Sequence, residues 1–270
     1  GAPLPPGLQR GGAMSESDER CYIHYLRLLA VAIDSAFLDA VNECVGGLIE
    51  GGRTYHGGIK GFERMFNKML SALDHRYDAK PRPAKNVDIN RTLAVAENAA
   101  QMLALLDALQ GRFGAFVKFK NGMALSDEDA ASIFHLRLFM VSVLFEHPTL
   151  ATFEEMCADA GVQARWAAYA EAEAPATVPR GQWDRDVARA LAWLRSAEMA
   201  GERVRMVCEV QCLLSLYRDV RMRMHEVYKA YRADTPQSLY EDFVKYGKEE
   251  AAKKNFADDG ATPLLRAARD

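Results

Sequence analysis

The stretch Lys80-Pro-Arg-Pro-Ala-Lys-Asn-Val-Asp-Ile-Asn-Arg-Thr-Leu-Ala-Val-Ala96 decides how the rest of the chain is read. It crowds Lys80, Arg82 and Lys85 into six residues stiffened by Pro81 and Pro83. Asp88 then opens a short apolar run, Ile89 to Ala96, that reads as a strand. Cations on a stiff loop beside a carboxylate at a strand entrance are what a phosphate-plus-metal site needs. An ordinary exposed loop, with Asp88 capping the preceding turn, has the same composition, and both readings stay open here.

Working toward the N-terminus, residues 15–50 read as a helix or helix pair. Ser15 and Ser17 are candidate N-caps, and Tyr22, Leu26, Leu29, Ile33, Phe37 and Val41 recur at helical spacing. Gly46-Gly47 and Gly51-Gly52 end it, and Arg53 to Gly58 reads as a loop. A second helix over 59–75 carries Phe62, Met65, Phe66, Met69 and Leu73 on one face.

Toward the C-terminus, 97–110 is a helix with Met102, Leu105, Leu106 and Leu109 inward. Phe113 to Lys120 alternates as a strand does, with Lys118 and Lys120 on one face, either for a joint role or as a solvated sheet edge. Phe134 to Phe145 reads as a further strand, and 149–173 and 182–200 as helices. Trp166, Trp183 and Trp193 fall in these helices and read as packing anchors. Arg203 to Gln211 alternates again, and helices follow over 212–232 and 237–255. The expected fold class is α+β. It has a small mixed sheet of about four to five strands surrounded by helices, with N- and C-terminal helical extensions.

A chain of 270 residues has ample length for a buried core. Its net charge of −3 lacks the basic footprint of bulk nucleic-acid binding. There is no run of about 18 apolar residues of the kind that spans a membrane, and the N-terminus lacks the order of a signal peptide. Residues 1–14 read as a disordered leader ahead of or including Met14. The cysteines at 21, 44, 157, 208 and 212 are odd in number and lack zinc-site spacing, which suggests reduced thiols in a cytoplasmic protein.

Taken in order, these motifs resemble a divergent RelA/SpoT-type nucleotidyltransferase over about residues 60–232. The family's basic loop matches Lys80, Arg82 and Lys85, and its acidic strand matches Asp88-Ile-Asn-Arg91. Its lysine strand matches Val117 to Gly122, and Phe134-His-Leu-Arg137 stands where its Tyr-Arg strand belongs. The late strand matches Val207-Cys-Glu-Val-Gln211, followed by His225 and Tyr228 on a helix. His225 also reads as a packed core residue, and Glu209 as a solvent-facing strand residue.

The resemblance implies pyrophosphoryl transfer from ATP to a guanosine nucleotide with Mg2+. Asp88 and Glu209 would be the catalytic and metal-holding carboxylates. Lys80, Arg82, Lys85, Arg91, Lys118, Lys120 and Arg137 would bind phosphate. The chain departs from the family in lacking the loop serine, the glycine before Arg91 and a clear base-stacking tyrosine, and in carrying a helical insertion over 147–202. These departures fall on the substrate sites, so the resemblance implies a binding or regulatory module with weakened catalysis. An active Mg2+-dependent transferase and a purely structural interaction module are the alternatives.

Asp258 to Arg269 resembles the opening of an ankyrin repeat, with Thr262-Pro-Leu and Ala267-Ala268. A lone repeat cannot bury its own face. The resemblance therefore implies a protein-binding ankyrin scaffold after this domain. The expected organisation is a leader over 1–14, a helical region over 15–57, a RelA/SpoT-like domain over 58–235, a connecting helix over 236–257 and the ankyrin start over 258–270. Expected partners are proteins and, at the cleft, a purine nucleotide.

Overall fold

The stripe Tyr22, Leu26, Leu29, Ile33, Phe37 and Val41 forms one unbroken helix, α1 (Glu16–Gly46), in the computed structural model of the chain. The structure describes residues 2–5, 14–48, 53–72, 74–132, 137–172, 174–175, 178–218, 220–221 and 227. The helix expected over 237–255, the ankyrin-like segment, His225 and Tyr228 lie outside these residues. Ser15 caps α1 in a capping box with Asp18, which satisfies the first free amides and fixes where the helix starts. Nearly every apolar side chain of α1 is buried, on more than one side. It is therefore a central helix rather than a surface one.

Five strands form one mixed sheet in the order β1-β2-β5-β4-β3: β1 (Arg53–Ile59), β2 (Asn90–Ala96), β3 (Lys118–Asn121), β4 (Phe139–Glu146) and β5 (Arg205–Leu214). The β2–β5 pair is parallel and the other three pairs are antiparallel. The fold is thus α+β. Several expectations change at the level of elements; the helices expected over 149–173 and 182–200 are each broken into two. Arg53 to Gly58 is edge strand β1 rather than a loop, because its backbone pairs with β2 around an irregularity between His56 and Ile59. Phe113 closes a helix, α3 (Ala99–Phe113), and Gly114 with φ of 77° breaks the backbone, so β3 starts only at Lys118. Cys212 to Leu214 continue β5 rather than starting a helix; β5 lies between two neighbours, and a central strand reads as a continuous apolar run.

Helix α1 lies against the sheet face that carries Asn90, Cys208 and Val210. The Asn90 amide donates to the carbonyl of Ala30 (3.2 Å) and to Asp34 (3.1 Å), which ties the sheet to the helix. Phe37 meets Phe145 edge-on at 5.6 Å and Phe113 at a tilt at 6.2 Å, so α3 packs on the same side. The remaining helices of this layer, α5 (Phe153–Ala158), α6 (Ala160–Glu171), α7 (Arg180–Leu194) and α8 (Ala197–Ala200), come between β4 and β5. The Trp166 indole donates to the Leu28 carbonyl (2.9 Å), and Trp183 meets His24 edge-on at 4.6 Å. The tryptophans thus anchor this layer to α1. A short helix, α2 (Phe62–Leu70), follows β1 and buries Phe62, Met65 and Met69. Among the described residues no helix is long and apolar enough to cross a membrane.

The chain divides into two units: one of residues 1–125 and 137–215, holding everything above, and one of residues 126–136 and 216–270. In the second, α4 (Asp127–Ser132) is capped by Ser126, whose hydroxyl accepts from the Asp129 amide at 3.0 Å.

The basic stretch 80–85 folds as a 3-10 turn over Arg82–Lys85 and is fixed to α1 by one buried pair. The Arg82 guanidinium donates to both carboxylate oxygens of Glu19 at 3.0 and 3.1 Å, and the Arg82 amide donates to the same carboxylate at 3.0 Å. Glu19 is fully buried. Removing one partner of such a pair leaves an uncompensated charge out of water. Glu19→Gln is expected to lower the unfolding free energy by about 3–5 kcal/mol in urea titrations. Glu19→Leu combined with Arg82→Met is expected to recover most of that loss. A single substitution costing under about 1 kcal/mol, the range of exposed pairs, would show that the pair is solvated.

Candidate functional site

The alternation of strand side chains sorts the sheet into two faces. Asn90 and Thr92 turn to α1, so Arg91 and Leu93 turn the other way. Register carries this second face across four strands. Arg91 pairs with Glu209, Glu209 with Ser142, and Ser142 with Lys118. The next row runs Leu93, Gln211, Met140, Lys120. Four of the residues singled out from sequence, Arg91, Glu209, Lys118 and Lys120, therefore share one face in two adjacent rows. At about 4.8 Å per strand a row spans roughly 14 Å, the scale of a nucleotide rather than of a single phosphate.

Asp88 sits just before β2, at the Arg91 end of the first row. Both its oxygens accept from the Lys60 ammonium at 2.6 Å, and Lys68 lies 3.5 Å away. The Lys60 side chain is wholly buried, and it also donates to Asn86 at 3.3 Å. Its backbone amide donates to the Ile89 carbonyl at 2.9 Å, which locks the β1–α2 junction to the start of β2. Burial pulls the Lys60 pKa down to about 7 against the attraction of Asp88. Burial pushes the Asp88 carboxyl up, but the charges and hydrogen bond of Lys60, with Lys68 and Arg91, outweigh it and hold the group at about 2. Asp88 is an ionised carboxylate.

Arg91 joins the two acids. Its own pKa is lowered by burial and by the like charge of Arg64, and raised by both Asp88 and Glu209. It donates to the Gly57 carbonyl at 3.3 Å. A Cβ at Gly57 would lie 2.7 Å from the Arg91 carbonyl oxygen, so only glycine admits this approach of β1 to β2. Glu209 is nearly buried, and its Oε1 accepts from the Gln211 amide at 2.6 Å.

The loop cations expected at this site are elsewhere. Arg82 is held by Glu19, and the Lys80 ammonium donates to the Met14 carbonyl. Lys85 is exposed at the end of the 3-10 turn. Arg137 donates to the carbonyls of Met123 (3.2 Å) and Leu125 (2.7 Å). The physical reason is the same for Lys80, Arg82 and Arg137: each meets unsatisfied acceptors of its own chain, where a charge-assisted hydrogen bond forms without a ligand. The cations that do attend Asp88 and Arg91 are Lys60, Arg64 and Lys68. They recur every four residues, and Arg64 and Lys68 lie on one stripe of α2. That spacing was visible in the sequence, although the apolar stripe of the same helix masked it.

The arrangement does not fit a magnesium ion. An ammonium already bridges both Asp88 oxygens, and Lys68 and Arg91 add positive charge around it. Among the described residues no group of three or more His, Cys, Asp or Glu side chains gathers in a way that could hold a metal.

No protein-family model matches the chain. No curated protein matches it either. Among solved structures it is similar to smu.1046c from Streptococcus mutans UA159, with 14% identity and a TM-score of 0.38, over 82% of this chain and 94% of that one. A likeness that loose assigns neither fold nor function.

Because the Asp88 pKa is depressed in the folded state, its contribution is fully present above the ordinary carboxylate pKa and is lost as pH falls toward 2. Unfolding free energies measured between pH 4 and pH 2 should fall by on the order of 2 kcal/mol through this group alone. In Asp88→Asn that part of the slope should vanish. An unchanged slope would mean that Asp88 is not held by Lys60.

Proposed function

We propose that the chain is a module of divergent RelA/SpoT-like nucleotidyltransferase fold that binds a nucleotide or related polyphosphate. In this reading it acts as a binding or regulatory unit, with transfer chemistry weakened or lost, joined to an ankyrin-repeat scaffold that recruits proteins. The observation that carries the reading is the gathering of Lys60 and Lys68 on Asp88, with Arg91, under the influence of Arg64, Asp88 and Glu209, beginning a polar row that leads to Lys118. Four cations around two acids leave a positive balance suited to a phosphate chain. The row beyond supplies a carboxylate, a hydroxyl and a lysine over the span a nucleoside would occupy.

Binding without fast transfer follows from how the acids are used. Phosphoryl-type transfer depends on positioning and on neutralising charge, usually through a metal that bridges carboxylates and phosphates. Here Asp88 is neutralised by Lys60, and Glu209 is hydrogen-bonded to Gln211. Arg64 and Lys68 bind and orient phosphate oxygens, Glu209 and Ser142 belong to the row that leads on to Lys118, and Asp88 fixes the buried Lys60. The five free cysteines support a reducing, cytoplasmic setting. An active Mg2+-dependent transferase is the second reading. The influence of both Asp88 and Glu209 on the single guanidinium of Arg91 favours it, since it brings the two acids toward one place.

Calorimetric titration with ATP, GTP and GDP, with and without Mg2+, separates these readings. Binding that persists in EDTA, and that weakens about tenfold or more in Lys68→Ala or Arg64→Ala, is the expected result. Mg2+-dependent formation of a pyrophosphorylated product, abolished in Glu209→Gln, would favour the transferase. Failure of all three nucleotides to bind would sink both readings.

A further inference from the structure

The N-terminal residues Ala2-Pro3-Leu4-Pro5 lie on the body of the protein rather than away from it. Pro5 is buried, and Ala2 and Leu4 pack against the core. Beside Ala2 a cavity is lined by Tyr22 and Leu26 of α1, Ala84 of the 3-10 turn, Asn86, Val87 and Met206 of β5. The rings of Tyr22 and Tyr25 stack at 5.4 Å with 16° between their planes. The Tyr25 hydroxyl donates to the Pro3 carbonyl at 2.8 Å.

These are the contacts that proline-rich ligands require. A proline offers no N–H, and an extended proline-rich segment makes no internal hydrogen bonds, so its carbonyls are its polar handles. Recognition then combines aromatic walls for the rings with a donor aimed at a carbonyl. Tyr25 supplies the donor, and Tyr22, stacked on it, is the aromatic surface of the cavity beside Ala2. The segment itself, Pro3-Leu4-Pro5-Pro6, spaces Pro3 and Pro6 as such ligands do. Ala2 leaves the groove incompletely filled, with a cavity of about 60 Å³ beside it. A larger side chain than alanine would fit there.

We propose that this groove is a recognition site for proline-rich peptides, held in cis by residues 2–5. It is formed by α1, the 3-10 turn with Asn86 and Val87 after it, and the start of β5, and through Asn86, which accepts from Lys60, it borders the Asp88 site. A ligand in trans competes with the chain's own segment, so the apparent affinity is reduced by the fraction of molecules in which the groove is filled. The turn that closes one side is the one fixed by Arg82 and Glu19, which gives that buried pair a role in shaping the groove.

The test uses the full chain and a fluorescein-labelled peptide, Ala-Pro-Leu-Pro-Pro-Gly-Leu, read by anisotropy. Leu4→Asp, which weakens the cis segment, should bind the probe at least about tenfold tighter than the unmodified chain. Adding Tyr25→Phe to Leu4→Asp should lose roughly fivefold of that affinity through the missing hydrogen bond. A probe with its prolines replaced by alanine should not bind. Circular dichroism melts within a few degrees of the unmodified chain would show that both variants fold. The proposal is overturned if Leu4→Asp gains no affinity, if Tyr25→Phe changes nothing, or if the alanine probe binds equally well.

Discussion

The parallel pairing of Asn90–Ala96 with Arg205–Leu214 is the constraint from which the rest of the structure follows. Parallel neighbours cannot be joined by a tight turn, so the chain between them must leave the sheet and return. It does so with α3, two antiparallel strands and the helices α5–α8. This connection, residues 97–204, carries two of the strands as well as the helical layer. The pairing also fixes the chemistry, because only this register sets Arg91 beside Glu209 and extends the row through Ser142 to Lys118. A slip of one residue would turn Arg91 and Glu209 into the layer beneath α1, where neither charge would find a partner.

The cations divide by what surrounds them. Lys80 and Arg82 lie within reach of a helix start and a buried acid, and both bond to the chain itself. Lys60 is more deeply buried than either, yet it belongs to the candidate site, because its partner Asp88 also acts on Arg91. Burial alone is therefore a poor guide to function here. The useful distinction is whether the acid that neutralises a buried cation also acts on a residue of the Arg91–Lys118 row. Glu19 is fully buried and bonded to Arg82, whereas Asp88 acts on Arg91.

Much of the architecture was legible because helix and strand periods differ. The long stripe of α1, the strand at Ile89–Ala96 and the late strand with Glu209 all stand clearly in the sequence. The edge strand Arg53–Ile59 did not, because Gly57 and Gly58 read as a loop; in fact Gly57 is the gap through which Arg91 passes. The two acids of the candidate site, Asp88 and Glu209, stand out in the sequence, since an acid opening or interrupting an apolar strand is conspicuous. Its basic residues were sought in the proline-stiffened loop, where they are dense, and missed on α2, where they are spaced by four among buried Phe62, Met65 and Met69. Local density of charge says nothing of which acceptors lie across the fold. Those acceptors, Glu19 and the carbonyls of Met14, Met123 and Leu125, are set by packing.

Whether such a face binds or reacts turns on one competition. A divalent ion and the Lys60 ammonium would both sit against the two oxygens of Asp88, and the lysine is already there, tethered through its own backbone to Ile89. A tethered cation has little translational entropy left to lose, whereas an ion must shed water to enter. A phosphate chain faces the opposite balance, since it meets Arg64, Lys68 and Arg91 while Lys60 stays on Asp88. The arrangement therefore favours a polyanion over a metal at the same place. Transfer would require Lys60 to release Asp88, and the backbone bond that holds Lys60 is the one that also holds β1 and α2 to the sheet.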